Sequence, residues 1–415
     1  MNTADPQSAR SPSYLGVRML LLLLLLPGFA FADKMASPEK VEIVSLPLKA
    51  EENPFVPDPM RRATPWPVPP PAAEGDEAVE APPGANEVVP GRLGSGPWRL
   101  FESTFPEDSC RAPRLNEDAG VAIALCSGMD VSRPEDEHIV LVRENKLVRY
   151  RAAVAPVAGS ATVDLSPSGD RFAVVVQEAG GGHSVHLVNL ERGTDTRVSG
   201  GWRNPGNAVV AGDSEVVAFN AQVGRDEALV VVNLTTGVAQ VAERSPTPAR
   251  IFGLDSSGRR VLYSVKVHGH DFLRLVDLDR GTRLQVSNVK SGITGAWMDR
   301  DIDSVAWAAE IGGLCGLYWG NANSRKRVEL RSELEGCFNV LGISDGGREI
   351  LYAETRRSGD VYKIWDRKAK ADRYEVIAGC VEPSLSYDGS IMAVRCPRAR
   401  KGPGVYLFKI PEPED

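Results

Sequence analysis

Between residues 105 and 410 the hydrophobic positions fall in short β-branched or aliphatic runs, each closed by Gly, Asp, Asn or Pro. The stretch 162–199 shows the unit most plainly. A run at 162–166 leads into the turn Pro167-Ser168-Gly169-Asp170, then a run at 172–176. A glycine loop (Gly180 to Gly182) precedes a third run at 185–190, and a turn on Gly193 precedes a fourth at 196–199. Such runs predict strands joined by hairpins, because Gly and Asp tolerate the positive φ that tight turns demand. Four in succession predict one antiparallel sheet.

The unit recurs. Its first hairpin returns at Asp255-Ser256-Ser257-Gly258-Arg259, Ser344-Asp345-Gly346-Gly347-Arg348 and Ser386-Tyr387-Asp388-Gly389-Ser390, with weaker copies at Asn116-Glu117-Asp118, Ala211-Gly212-Asp213 and Asp299-Arg300-Asp301. Turn glycines 169, 212, 258, 347 and 389 lie 43, 46, 89 and 42 residues apart, the 89 enclosing one degenerate copy. A period of about 40–45 residues with four strands per unit is that of propeller blades. Counting from Arg111 gives seven units, so the expected fold is an all-β, seven-bladed β-propeller of four-stranded antiparallel blades, with six blades as the alternative. The last unit supplies three strands and ends at Pro411 and Pro413, which cannot donate to a ladder. The run 98–104 belongs to no hairpin of its own, and is expected to pair with 405–410 and close the ring.

Ahead of the repeats, Arg10 and Arg18 precede the leucine run 21–26, Pro27-Gly28 and Ala30-Phe31-Ala32. This is the pattern of an export signal (residues 1–32) cleaved between Ala32 and Asp33. Its apolar run is too short to span the ~30 Å of a bilayer as a helix, so no stable membrane span is expected after cleavage. Residues 33–96 carry Pro69-Pro70-Pro71, Pro82-Pro83 and Pro65-Trp66-Pro67 without hydrophobic periodicity. Such a segment reads as a disordered Pro-rich tail, and residues 97–415 as the propeller domain.

All six cysteines lie in the repeats. An even number in an exported chain favours disulfides. Cys110 and Cys126 are equidistant from Asp118, and Cys380 and Cys396 from Asp388, so each pair should face across its hairpin. Cys315 and Cys337 pair by elimination. The residue opposite Cys337 is expected to be Ala353 or Glu354.

A net charge of −7 without a basic stripe argues against nucleic acid. Among the five histidines, His183, His268 and His270 sit in loops between second and third strands, where they are weak candidates for a metal. His186 lies in a strand and His138 begins one. Trp202 sits in a loop on the same face and is a weak binding candidate. Trp297, Trp307 and Trp319 fall on successive strands of one unit and read as blade core. No Gly-x-Ser-x-Gly elbow follows a strand, and no catalytic residue or cofactor is assigned.

Leu165-Ser166-Pro167-Ser168-Gly169-Asp170-Arg171-Phe172-Ala173 resembles the S-P-D-G-K-x-x-A signature of TolB-type (PD40, WD40-like) repeats, as do 344–351 and 386–393. The resemblance implies an exported, non-enzymatic propeller in the periplasm or outside the cell, docking protein partners in a cell-envelope assembly. In the same wider group, oligogalacturonate lyases hold a metal on histidines above the channel. A carbohydrate-active enzyme is therefore the alternative, and a passive ligand-binding module is a third.

Overall fold

The computed structural model describes residues 98–410 apart from 103–109, 127–137, 144–145, 151–162, 288–291, 398–403 and loop positions 179, 325, 334–335, 358 and 377–378. The leader and tail before residue 98 lie outside the described residues.

Seven four-stranded antiparallel sheets follow one another along the chain. Blade 1 is Cys110–Leu115, Val121–Cys126, His138–Arg143 and Lys146–Tyr150. Blade 2 is Val163–Leu165, Arg171–Gln177, His183–Asn189 and Thr194–Arg197. Blade 3 is Arg203–Val210, Val216–Val223, Asp226–Asn233 and Val238–Ser245. Blade 4 is Arg250–Leu254, Arg260–Val267, His270–Asp277 and Thr282–Gln285. Blade 5 is Gly292–Met298, Ser304–Ile311, Leu314–Asn321 and Lys326–Glu333. Blade 6 is Cys337–Ile343, Glu349–Arg356, Gly359–Asp366 and Ala371–Glu375. Blade 7 has Val381–Leu385, Ile391–Cys396 and Gly404–Lys409, and its fourth strand is Trp98–Glu102 from the start of the chain. Trp98 pairs with Leu407 and Glu102 with Gly404, so the ring closes as the patterning predicts.

First strands touch first strands all the way round, including blade 7 against blade 1, and they form the inner wall. The core is divided among seven seams, one apolar cluster between each pair of neighbouring blades. Each seam interdigitates Val, Ile, Leu and Ala from two sheets. Burying one such Val, Leu or Ile side chain contributes roughly 1.5–3 kcal/mol.

The turns after the seven first strands are tied to one another at one end of the ring. Glu117 N donates to Pro167 O (2.8 Å), Asp213 N to Ser256 O (2.7 Å), Ser256 N to Arg300 O (2.9 Å) and Asp345 N to Tyr387 O (2.7 Å). Ser168 Oγ reaches Gly212 O (2.9 Å) and Arg300 N reaches Asp345 Oδ1 (3.2 Å). Asp388 N completes the circle on Glu117 O at 3.2 Å. Glycine is required here twice over. Gly258 has φ +73°, and a Cβ on it would lie 2.6 Å from Val216 of the preceding blade. Gly169 is placed likewise, 2.9 Å from Val121.

Six of the seven first strands carry a bulge; among the described residues that of blade 2, Val163–Leu165, shows none. In blade 1 the extra residue is Ala112 (φ 49°) and in blade 7 Glu382 (φ 54°), and Ala112 N donates to Glu382 Oε2 at 2.7 Å. A bulge shifts the pairing beyond it by one residue. That shift brings Cys110 opposite Cys126, and both hairpin disulfides form as the spacing predicts. Each closes a loop worth on the order of 3 kcal/mol in the chain-entropy model. Cys315–Cys337 also forms and links blade 5 to blade 6. The residue opposite Cys337 is Thr355, not Ala353 or Glu354, because the turn spans Asp345–Gly347 and the pairing is centred on Gly346 rather than Asp345.

Two seams carry a buried polar lock, 89 positions apart. Between blades 3 and 4, Glu243 accepts from Tyr263 Oη (2.7 Å) and Arg274 (3.2 Å), with Arg283 at 3.4 Å. Between blades 5 and 6, Tyr352 Oη donates to Asp372 (2.6 Å) and accepts from Arg331 (3.1 Å), while Lys363 holds Glu354 at 2.9 Å. Glu354 is held at a pKa of about 2, first by its hydrogen bonds from Arg356 and then by Lys363.

Glu243→Ala leaves two arginines without their shared carboxylate, and should cost about 3 kcal/mol in urea unfolding, while Glu243→Gln costs less. Deleting residues 33–96 should leave the melting temperature unchanged, whereas deleting 33–105 removes the closing strand and should lower it by several degrees in calorimetry.

Candidate functional site

The ring places side chains from non-adjacent blades on its axis. Arg300, in the inner turn of blade 5, crosses to Glu117 of blade 1 (Nη1–Oε2 2.7 Å) and to Asp213 of blade 3 (2.8 and 3.0 Å). Burial lowers the Arg300 pKa, but Asp213, Glu117 and Asp345 outweigh this, and its pKa is raised. A charge shared by two carboxylates from opposite sides is a brace across the mouth of the channel, at the end formed by the turns.

Just inside this brace, Arg114 of blade 1 lies over the Trp297 ring of blade 5, 5.4 Å from its centroid. Asp164 of blade 2 and Tyr387 of blade 7 stand close by. Burial pushes the Asp164 carboxyl up to about 6, against the pull of its hydrogen bond from Val210 N (2.9 Å) and of Arg114. Tyr387 is pushed up by burial and by the nearby Asp164 and Asp345. Asp299 is likewise raised to about 6 by burial. Ionisable and aromatic groups from blades 1, 2, 5 and 7 thus gather near one another behind the brace.

The sequence candidates lie at the opposite end. His183 begins the third strand of blade 2, while His268 forms the turn before His270 in blade 4. Metal-ligand atoms of three residues gather within 4.8 Å at one place among the described residues, Glu310 with Cys315 and Cys337. Its two sulfurs are spent on a disulfide. The three loop histidines are not brought together, so these residues do not fit a shared metal. Trp202 packs its partly buried ring against the seam between blades 2 and 3. Trp307 and Trp319 are core as expected, on opposite faces of blade 5, and Trp297 packs partly buried against the seam between blades 5 and 6 while also meeting Arg114 of blade 1.

One arrangement escaped sequence reasoning. Ser184 Oγ lies 2.9 Å from His186 Nε2, and His186 Nδ1 lies 2.7 Å from Asp195 Oδ1. The distances match a nucleophile, base and orienting acid. Ser184 is 0% exposed, however, which leaves no room for a substrate carbonyl. His186 and Asp195 also occupy the strand positions that Arg274 and Arg283 take in blade 4, and Lys363 and Asp372 in blade 6. The group lies within blade 2 and holds its third and fourth strands together.

No protein-family model and no curated protein sequence matches the chain. Among solved structures, an oligogalacturonate lyase from Vibrio parahaemolyticus superposes with a TM-score of 0.57 at 14% identity, covering 78% of this chain and 96% of that one. An oligogalacturonate lyase in complex with manganese gives 0.55 at 14% identity over 78% and 95%. TolB from Acinetobacter baumannii gives 0.45 at 14% identity over 62% and 63%. The two lyase likenesses support the propeller fold. They also correct the expectation of a non-enzyme, since the propellers that superpose over most of this chain include enzymes. The missing nucleophile motif was a poor guide, because chemistry on a shared fold resides in local sites.

The raised pKa of Asp164 gives a pH test. The folded state keeps a proton that the unfolded chain releases above 3.8, so the stability this contributes is present below that pH and lost as pH rises through about 6. Asp164→Asn keeps an acceptor for the Val210 N–H. It should melt about 2 °C above the native chain at neutral pH, and level with it below about pH 4.

Proposed function

We propose that the chain is exported, loses residues 1–32, and docks a protein partner of the cell envelope or its surroundings on the face remote from the turn ring. The single observation that carries this reading is the asymmetry of the two ends. The turn end is braced by Arg300 and a closed circle of hydrogen bonds. The remote end carries all three disulfides and the strand-connecting loops, with Arg203, Arg244 and His268 exposed. Loops held on a rigid scaffold are where recognition concentrates. Disulfides support an oxidising compartment, in keeping with the leader. The Pro-rich stretch before Trp98 serves as a spacer.

N-terminal sequencing of exported material should begin at Asp33. In cross-linking from envelope extract, a combined Trp202→Ala and Arg203→Glu change on the loop face should abolish capture of a defined partner, and Arg280→Glu on the turn face should leave it intact. The reverse pattern would sink the proposal.

A further inference from the structure

Cys315–Cys337 joins blades 5 and 6 at the loop end, and it differs from the two hairpin disulfides in what surrounds it. Cys315 lies in one ladder row of blade 5, opposite Glu310 on the second strand and Glu333 on the fourth. Residues directly opposite project from the same face of a sheet, so two carboxylates flank one sulfur. Cys337 arrives from blade 6, after Gly336, whose φ is +109° and where a Cβ would lie 2.7 Å from Thr355 O. A carboxylate oxygen of Glu310 and both sulfurs lie within 4.8 Å of one another, the one such gathering among the described residues. Glu310 is exposed and has no ion pair or hydrogen bond among the described residues, Cys337 is half-buried, and Cys315 is buried. Glu333 is held by Arg331. In blade 7 the row through Cys396 continues on Gly404, which offers no donor.

We propose that Glu310, Cys315 and Cys337 form a latent site for a thiophilic divalent ion, zinc or cadmium, which opens when a dithiol reduces the bond between the blades. A thiolate of the dithiol attacks the more accessible Cys337 Sγ, forms a mixed disulfide with it and releases Cys315. The second thiol of the reductant then displaces Cys337 and leaves as a cyclic disulfide. The dithiol supplies both electrons and both protons, and the cysteines give up those protons when the ion binds. Two thiolates select a soft or borderline cation over calcium or magnesium, and the Glu310 oxygen completes a donor set that suits zinc. Tetrahedral zinc at about 2.3 Å from each sulfur needs the sulfurs about 3.8 Å apart. Cα atoms 5.0 Å apart reach that spread by side-chain rotation. The link between blades 5 and 6 is then exchanged, a metal bridge for a covalent one, and not lost. This site is separate from the docking reading and stands without it.

The test uses the purified full chain, reduced with a tertiary phosphine, desalted, and titrated with Cd²⁺ while the ultraviolet thiolate-to-cadmium charge-transfer band is followed. The unreduced chain should show no band. Reduced Cys337→Ser should take up one equivalent of ion less than the reduced native chain. Glu310→Gln, a surface change that leaves both thiols, should keep the band and weaken binding by about tenfold or more. Equal uptake by the reduced native and Cys337→Ser chains overturns the site, as does native affinity in Glu310→Gln. So does loss of the native circular dichroism on reduction alone, because the donors come from two blades that must stay in place.

Discussion

Everything in this molecule hangs on the circle of hydrogen bonds that joins the seven inner turns. Each turn must approach its neighbour closely enough for a backbone N–H or a hydroxyl to reach the next. That proximity leaves no space for a Cβ at Gly258 or Gly169. The repeated Ser, Asp and Gly of the hairpins thus follow from assembly. Asp255 Oδ1, for instance, accepts from Arg259 N (2.6 Å) and Arg260 N (2.9 Å), fixing its own turn. A motif repeated in several blades therefore says little about activity, and residues that occur once, on the axis, carry more information.

The axis inherits its chemistry from that geometry. Seven tight turns converge on a narrow mouth, and their carboxylates would repel without a counter-charge. Arg300 supplies it from the one blade whose turn places an arginine at the centre. The opposite end is held by covalent links instead, two within blades and one between blades 5 and 6.

Blade number, strand count and ring closure were legible because they rest on local signals: turn glycines at a steady period, prolines ending the last blade, and an orphan strand before the first. The hairpin disulfides were legible for a subtler reason. Cys110 and Cys126 sit where a bulged ladder, and not a regular one, makes them opposite, and counting from the turn centre happened to absorb the offset. Cys337 faces Thr355 because its turn is centred on Gly346, one residue beyond Asp345. What could not be read were contacts across the ring. Arg114 and Trp297 are 183 positions apart, as are Glu117 and Arg300, and no periodicity announces which side chains share the axis. The seam locks did leave a trace, Tyr263 and Tyr352 at the spacing of two blades, but their partners change sign between copies.

Closure by the first strand also sets an order of events. Trp98 finds its partner at Leu407, so the earliest piece of the propeller to be synthesised is among the last to be seated. At about 5–20 residues per second this wait is on the order of 15–60 s. Through that interval blade 1 lacks its neighbour on one side, and six blades must stand as an open arc whose inner turns cannot yet complete their circle. Until its final segment arrives, the chain is a spring without a clasp, and a ribosome stalled before residue 404 would release a product that no amount of time could close.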